Sequence, residues 1–119
     1  MPLTKLDFSL KRNDTLPSLR LNVFDRGCLG QVERFNLTGA TGVTFTMVDS
    51  TGNYKVAKKD GSIISSSGGT IQYNWSPEDT DEHGTFKGEF QISYADGGRL
   101  TVPQQGFITI EIFRDITFD

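Results

Sequence analysis

An all-β chain folded as an antiparallel sandwich is what this sequence predicts, on three observations. Apolar and polar residues alternate over short runs, turn formers separate the runs, and no stretch keeps a helical period over a useful length. Phe8 to Leu10 opens the series. Leu19, Leu21 and Val23 then alternate with Arg20, Asn22 and Phe24, and Val43, Phe45 and Met47 with Thr44, Thr46 and Val48. Tyr54 to Ala57 is a short run, followed by Ile71, Tyr73 and Trp75 around Gln72 and Asn74. The longest run sets Phe86, Gly88, Phe90, Ile92 and Tyr94 against Lys87, Glu89, Gln91 and Ser93. Leu100 to Val102 and the set Ile108, Ile110 and Ile112 close the list, giving about eight or nine short strands. Each run places its apolar members on one sheet face and its polar members on the other. The core is therefore expected to hold Trp75, Phe90 and Ile110.

Turn chemistry punctuates these runs at Asp25-Arg26-Gly27, Ser50-Thr51-Gly52-Asn53, Asp60-Gly61, Ser67-Gly68-Gly69 and Asp96-Gly97-Gly98. Such Gly, Asn and Asp clusters supply the positive φ of tight hairpins. Gly39-Ala40-Thr41-Gly42 and Ser66-Ser67-Gly68-Gly69 look like phosphate-cradling loops, but neither leads into a helix N-terminus, and both read as hairpin turns. With 119 residues and no linker or repeat, residues 1–119 are expected to form one sandwich domain.

Composition narrows the function. Twelve basic against fifteen acidic residues give a net charge of −3, interspersed and without a basic stripe, so nucleic acid is not expected as a partner. No run reaches the ~18 apolar residues of a membrane span, so no membrane association is expected. One cysteine, Cys28, excludes an intrachain disulfide. The start, Met1-Pro2-Leu3-Thr4-Lys5, carries no apolar run of the signal-peptide kind, and synthesis in a bacterial cytoplasm is expected.

The catalytic inventory is thin. His83 is the single histidine and Cys28 has no local partner, so the expectation is a loop histidine and a small thiol rather than a nucleophile–base pair. Four Cys/His ligands for structural zinc are lacking. The cluster Glu78-Asp79-Thr80-Asp81-Glu82-His83-Gly84 has oxygen donors at alternate positions, but not the twelve-residue calcium-loop spacing; a solvated acidic loop is expected. Trp75 with Tyr73 reads either as core packing beside Ile71 or as an aromatic platform for a sugar. No catalytic, cofactor-binding or metal-binding residues are expected, no cofactor, and no enzyme activity.

A series of segments resembles a known family. These are Phe8-Ser9-Leu10-Lys11-Arg12-Asn13-Asp14-Thr15-Leu16-Pro17, Phe35-Asn36-Leu37-Thr38-Gly39-Ala40-Thr41 and Val43-Thr44-Phe45-Thr46-Met47. Further along come Gly69-Thr70-Ile71-Gln72-Tyr73-Asn74-Trp75, Asp79-Thr80, Gly84-Thr85-Phe86, Gly88-Glu89-Phe90 and Asp96-Gly97-Gly98-Arg99-Leu100-Thr101-Val102-Pro103. Their order and spacing, over roughly residues 6–112, resemble the N-terminal domain of siphophage baseplate upper proteins and small relatives among phage structural proteins. The resemblance implies an immunoglobulin-like sandwich without activity of its own. It also implies a bacteriophage virion structural protein, tail- or baseplate-associated or on the particle surface. Its partners would be other virion structural proteins, with a possible homo-oligomer in the particle. In the baseplate proteins more chain follows this domain, whereas here the sequence ends at Asp119, which points to a stand-alone component. A carbohydrate- or receptor-binding module on a phage or bacterial surface is the alternative. Phe86 stands where immunoglobulin domains carry their corner tyrosine, so the corner hydrogen bond is expected to be absent.

Overall fold

Strands that alternate apolar and polar side chains can bury one face only, and here two sheets bury those faces against each other. The computed structural model describes residues 6–26, 32–103, 106–114 and 116, with backbone alone at residues 6, 25, 26 and 32–34. Among them are eleven strands and no α-helix. The strands are β1 (Leu6–Lys11), β2 (Leu19–Asn22), β3 (Phe24–Arg26), β4 (Val32–Arg34), β5 (Ala40–Val48) and β6 (Tyr54–Asp60). They continue with β7 (Ser62–Ser65), β8 (Thr70–Tyr73), β9 (Gly84–Tyr94), β10 (Arg99–Val102) and β11 (Ile108–Phe113).

The larger sheet runs β1-β11-β9-β5-β6. β9 is long enough to serve two neighbours on one side, pairing β11 through its first half and β10 through its second, while β5 lies along its other edge. β1 pairs with β11 in parallel over six unbroken positions, and the remaining pairs are antiparallel. The smaller sheet is β2-β8-β7, and β3 with β4 forms a separate two-stranded ribbon.

Between the two main sheets, Phe45 is the hub. Its ring stacks on Tyr73 at 4.7 Å between centroids, tilts against Phe90 at 5.0 Å and meets Trp75 edge-on at 5.6 Å. Phe45 and Phe90 come from the larger sheet and Tyr73 from the smaller, so this cluster is what joins the layers. Ile71, Ile92, Ile108, Ile110 and Leu37 fill in around it, and Trp75, Phe90 and Ile110 are all buried as the alternation requires.

Several local expectations are corrected. Residues 19–24 do not form one strand. The Val23 N–H donates to the Gly69 carbonyl and the Phe35 N–H to the Val23 carbonyl, which diverts the chain from the smaller sheet into the ribbon. Only glycine fits at residue 69, because φ is +69° and a Cβ there would collide with the carbonyl oxygens of Phe35 and Val23. Asp25 and Arg26, expected in a turn, belong to β3, and Gly27 lies outside the described residues. Gly42, expected in a hairpin turn, lies within β5 at a register shift. Trp75 lies beyond the end of β8. The turns at 50–53, 66–69 and 96–98 stand where their glycines and asparagine put them.

Candidate functional site

The densest arrangement of polar side chains begins where β8 ends. Pro77–Asp79 makes a single 3₁₀ turn, and the Asp79 N–H closes it on the Ser76 carbonyl at 2.9 Å. That turn swings Asp79 back under the sheet, where it is fully buried. A buried carboxylate requires partners. The Tyr73 hydroxyl donates to Asp79 Oδ2 at 2.6 Å, the Ser76 N–H donates to the same oxygen at 2.8 Å, and Lys59 Nζ pairs with Oδ1 at 3.1 Å. Burial, then the hydrogen bond to Asp79, pushes the Tyr73 hydroxyl well above the ordinary tyrosine range.

The next residue is fully buried as well. Thr80 Oγ1 donates to the Asp14 carbonyl at 3.0 Å, and the Asn13 N–H donates to the Thr80 carbonyl at 2.8 Å. Beyond it, Lys55 reaches from β6 to Asp81 at 2.5 Å and Glu82 at 3.2 Å. Partial burial works to lower the Lys55 ammonium, but hydrogen bonds and charge from the two carboxylates outweigh it and hold it above its usual range. The acidic segment is thus a corner clamped by two lysines of β6 and by the turn after β1. The expected solvated loop is corrected in its middle: Asp79 and Thr80 are interior, while Glu78, Asp81, Glu82 and His83 are exposed.

His83 makes no hydrogen bond or ion pair among the described residues, and Cys28 lies outside them. A surface hollow lined by Arg12, Asp49, Asp81, Glu82, His83 and Thr85 gathers charge at this end of the sandwich. Among the described residues no three His, Cys, Asp or Glu side chains converge as metal donors. Asp49 itself is engaged, its carboxyl held below the usual range by the Thr51 hydroxyl first and the Asn53 N–H next. Tyr73 and Trp75 are 2 % and 5 % exposed, so the sugar-platform alternative is overturned: neither ring presents a face to solvent. Phe86 has no hydroxyl to make a corner hydrogen bond, and the buried tyrosine hydroxyl bond near this end comes instead from Tyr73, in the other sheet. A buried tyrosine needs an acceptor for its hydroxyl, and that requirement was the one signal in the sequence for this contact.

Two exposed features remain. The β3–β4 ribbon pairs with neither main sheet, and Phe24 at its start is half exposed. The outer edge of β1 carries no neighbouring strand among the described residues.

No family model and no curated protein sequence matches the chain. Among solved structures the fold is similar to that of CopC from Methylosinus trichosporium OB3b, with a TM-score of 0.54 and 10 % identity over 96 % of this chain and 90 % of that one. The likeness bears out the immunoglobulin-like β-sandwich. It overturns the expected virion role, since this similar structure is CopC and not a phage component. The physical reason lies in the segments that suggested phage. They coincide with β1, β5, β8, β9 and β10 and the turns and loops beside them, so their order and spacing follow from the sandwich, which a chain of 10 % identity shares.

Proposed function

We propose that the chain is a non-catalytic protein-interaction domain that engages its partner through the β3–β4 ribbon. The observation that carries this reading is the ribbon itself. It pairs Phe24 with Arg34, Asp25 with Glu33 and Arg26 with Val32, and forms a sheet of its own. A two-stranded ribbon is marginal by itself, and a partner surface would add to what its own pairing supplies. Phe24 is 50 % exposed where the ribbon leaves the body, and aromatic side chains in such places are frequent anchors of protein contacts. The buried polar side chains of the corner, Asp79 and Thr80, are by contrast engaged in holding the fold.

The test is recovery of a partner from cells that make the protein, followed by reconstitution with both components pure. Phe24→Ser is expected to weaken that reconstituted complex at least about tenfold while the protein stays folded, the effect of losing one aromatic anchor. A complex indifferent to Phe24→Ser and to shortening of the ribbon would show that the contact lies elsewhere.

A further inference from the structure

Sheet edges invite pairing unless something blocks them, and the edges of this sandwich are unequally protected. β6 is broken by two register shifts and carries Lys55, Lys58 and Lys59. β7 has a shift between Ile63 and Ser65; β2 and β10 are four residues long, and Pro103 follows β10. β1 differs. Its six residues keep unbroken register with β11, and no proline or bulge interrupts them.

The main chain of β1 shows which groups are on offer. The Arg12 N–H donates to the Phe113 carbonyl at 2.8 Å, so even-numbered residues point their backbone groups at β11. Strand alternation then sends the N–H and C=O of Asp7, Ser9 and Lys11 to the free edge. The side chains of those three residues are exposed, while Leu10 is buried and Phe8 stacks on Trp75 at 5.9 Å.

We propose that a second copy of this chain pairs antiparallel on β1, about a two-fold axis at Ser9, joining the two larger sheets into one. In that register Ser9 faces Ser9, and Asp7 of each copy lies opposite Lys11 of the other. Neither charge has an ion-pair partner among the described residues. Four residues apart on one extended strand, they are about 13 Å from each other and cannot pair within one copy. Opposite charges directly across an antiparallel pair are favourable, and like charges unfavourable. An in-register parallel pairing would set Asp7 against Asp7 and Lys11 against Lys11.

The same register makes all three odd-numbered pairs hydrogen-bonded pairs. The Lys11 carbonyl already accepts from the Asp14 N–H at 3.0 Å. That leaves about four main-chain bonds across the axis, two at Ser9 and one from each Lys11 N–H to the facing Asp7 carbonyl. Such a short seam belongs to the weak class of interfaces. The charges fix its register and the backbone supplies its cohesion. An isologous contact of this kind closes on itself and stops at two copies.

Sedimentation of the purified chain alone, from about 10 µM to about 1 mM, tests this. A reversible dimer is expected, weakened about tenfold or more by either Asp7→Lys or Lys11→Glu and restored by the two together, since the double reversal recreates opposite charges across the axis. Ser9→Pro, which removes an N–H pointed away from β11, is expected to abolish the dimer without lowering the melting temperature. A monomer throughout that range, or a dimer indifferent to both single reversals, overturns the proposal. Because no other protein enters the measurement, its outcome is separate from that of the ribbon reading.

Discussion

Gly88 sits beneath the ring that joins the two sheets. A Cβ placed there would come within 2.8 Å of both Phe45 Cζ and Ile110 Cδ1, and both side chains are fully buried. The Phe45 ring cannot swing aside without disturbing Phe90 or Tyr73, so Gly88→Ala is expected to cost about 1–3 kcal/mol, the usual range for overpacking a tight core. Chemical denaturation reads this directly, and an unchanged midpoint would show that the ring has room. Tyr73 offers a second case, with a sign that depends on pH. Its folded pKa lies above the ordinary value of 10.0, so the folded protein keeps a proton that the unfolded chain gives up. The stability it contributes is complete below pH 10 and declines as pH rises beyond it. Tyr73→Phe should cost about 1–3 kcal/mol at neutral pH, because Asp79 loses a buried donor. The gap from wild type should then narrow as pH rises from about 10 to 12. Parallel stability curves for the two proteins over that range would contradict the assignment.

At the scale of the element, β6 shows how an edge is blunted. Lys58 has φ of +50°, a left-handed conformation at the register shift with β5 between Phe45 and Met47. A β-branched residue is strained there, so Lys58→Val is expected to destabilise by about 1–2 kcal/mol, while Lys58→Gly stays within about 0.5 kcal/mol of wild type. Equal effects of the two substitutions on thermal unfolding would mean the kink is not local to residue 58. Elements were legible in the sequence where alternation is long: β5, β9 and β11 lie where Val43 to Met47, Phe86 to Tyr94 and Ile108 to Ile112 place them. β7 was not, because Ser62-Ile63-Ile64-Ser65 puts two apolar residues side by side and has no period of two. β4 is too short, at three residues, to show one. The end of β2 at Asn22 depends on the hydrogen bonds of Val23 to Gly69 and from Phe35, distant in sequence, so no local pattern marks it.

For the whole molecule, cohesion between layers runs through a few aromatic side chains. Phe45→Ala would remove the ring that touches Tyr73, Trp75 and Phe90 together, and is expected to cost about 3–5 kcal/mol, a large share of the ~5–15 kcal/mol available to a domain. Phe45→Ala combined with Tyr73→Phe should not be additive, since the Phe45 ring holds in place the Tyr73 ring whose hydroxyl reaches Asp79; a double-mutant cycle with a coupling near zero would separate the core from the acidic corner. The corner itself was hidden in the sequence. Glu78 to Glu82 reads as uniform negative charge, and only the 3₁₀ turn decides that Asp79, and not its neighbours, goes inside. The parallel pairing of β1 with β11 has a mechanical consequence. Leu6 lies level with Ile108 and Lys11 level with Phe113, so tension applied at Leu6 and Phe113 slides the two strands past each other along their length. Every hydrogen bond between them is then loaded at once. Tension applied at Lys11 and Phe113 would instead peel the same bonds one after another. In single-molecule stretching the first attachment should rupture at a markedly higher force than the second, making this sandwich strong along its strands and weak across them.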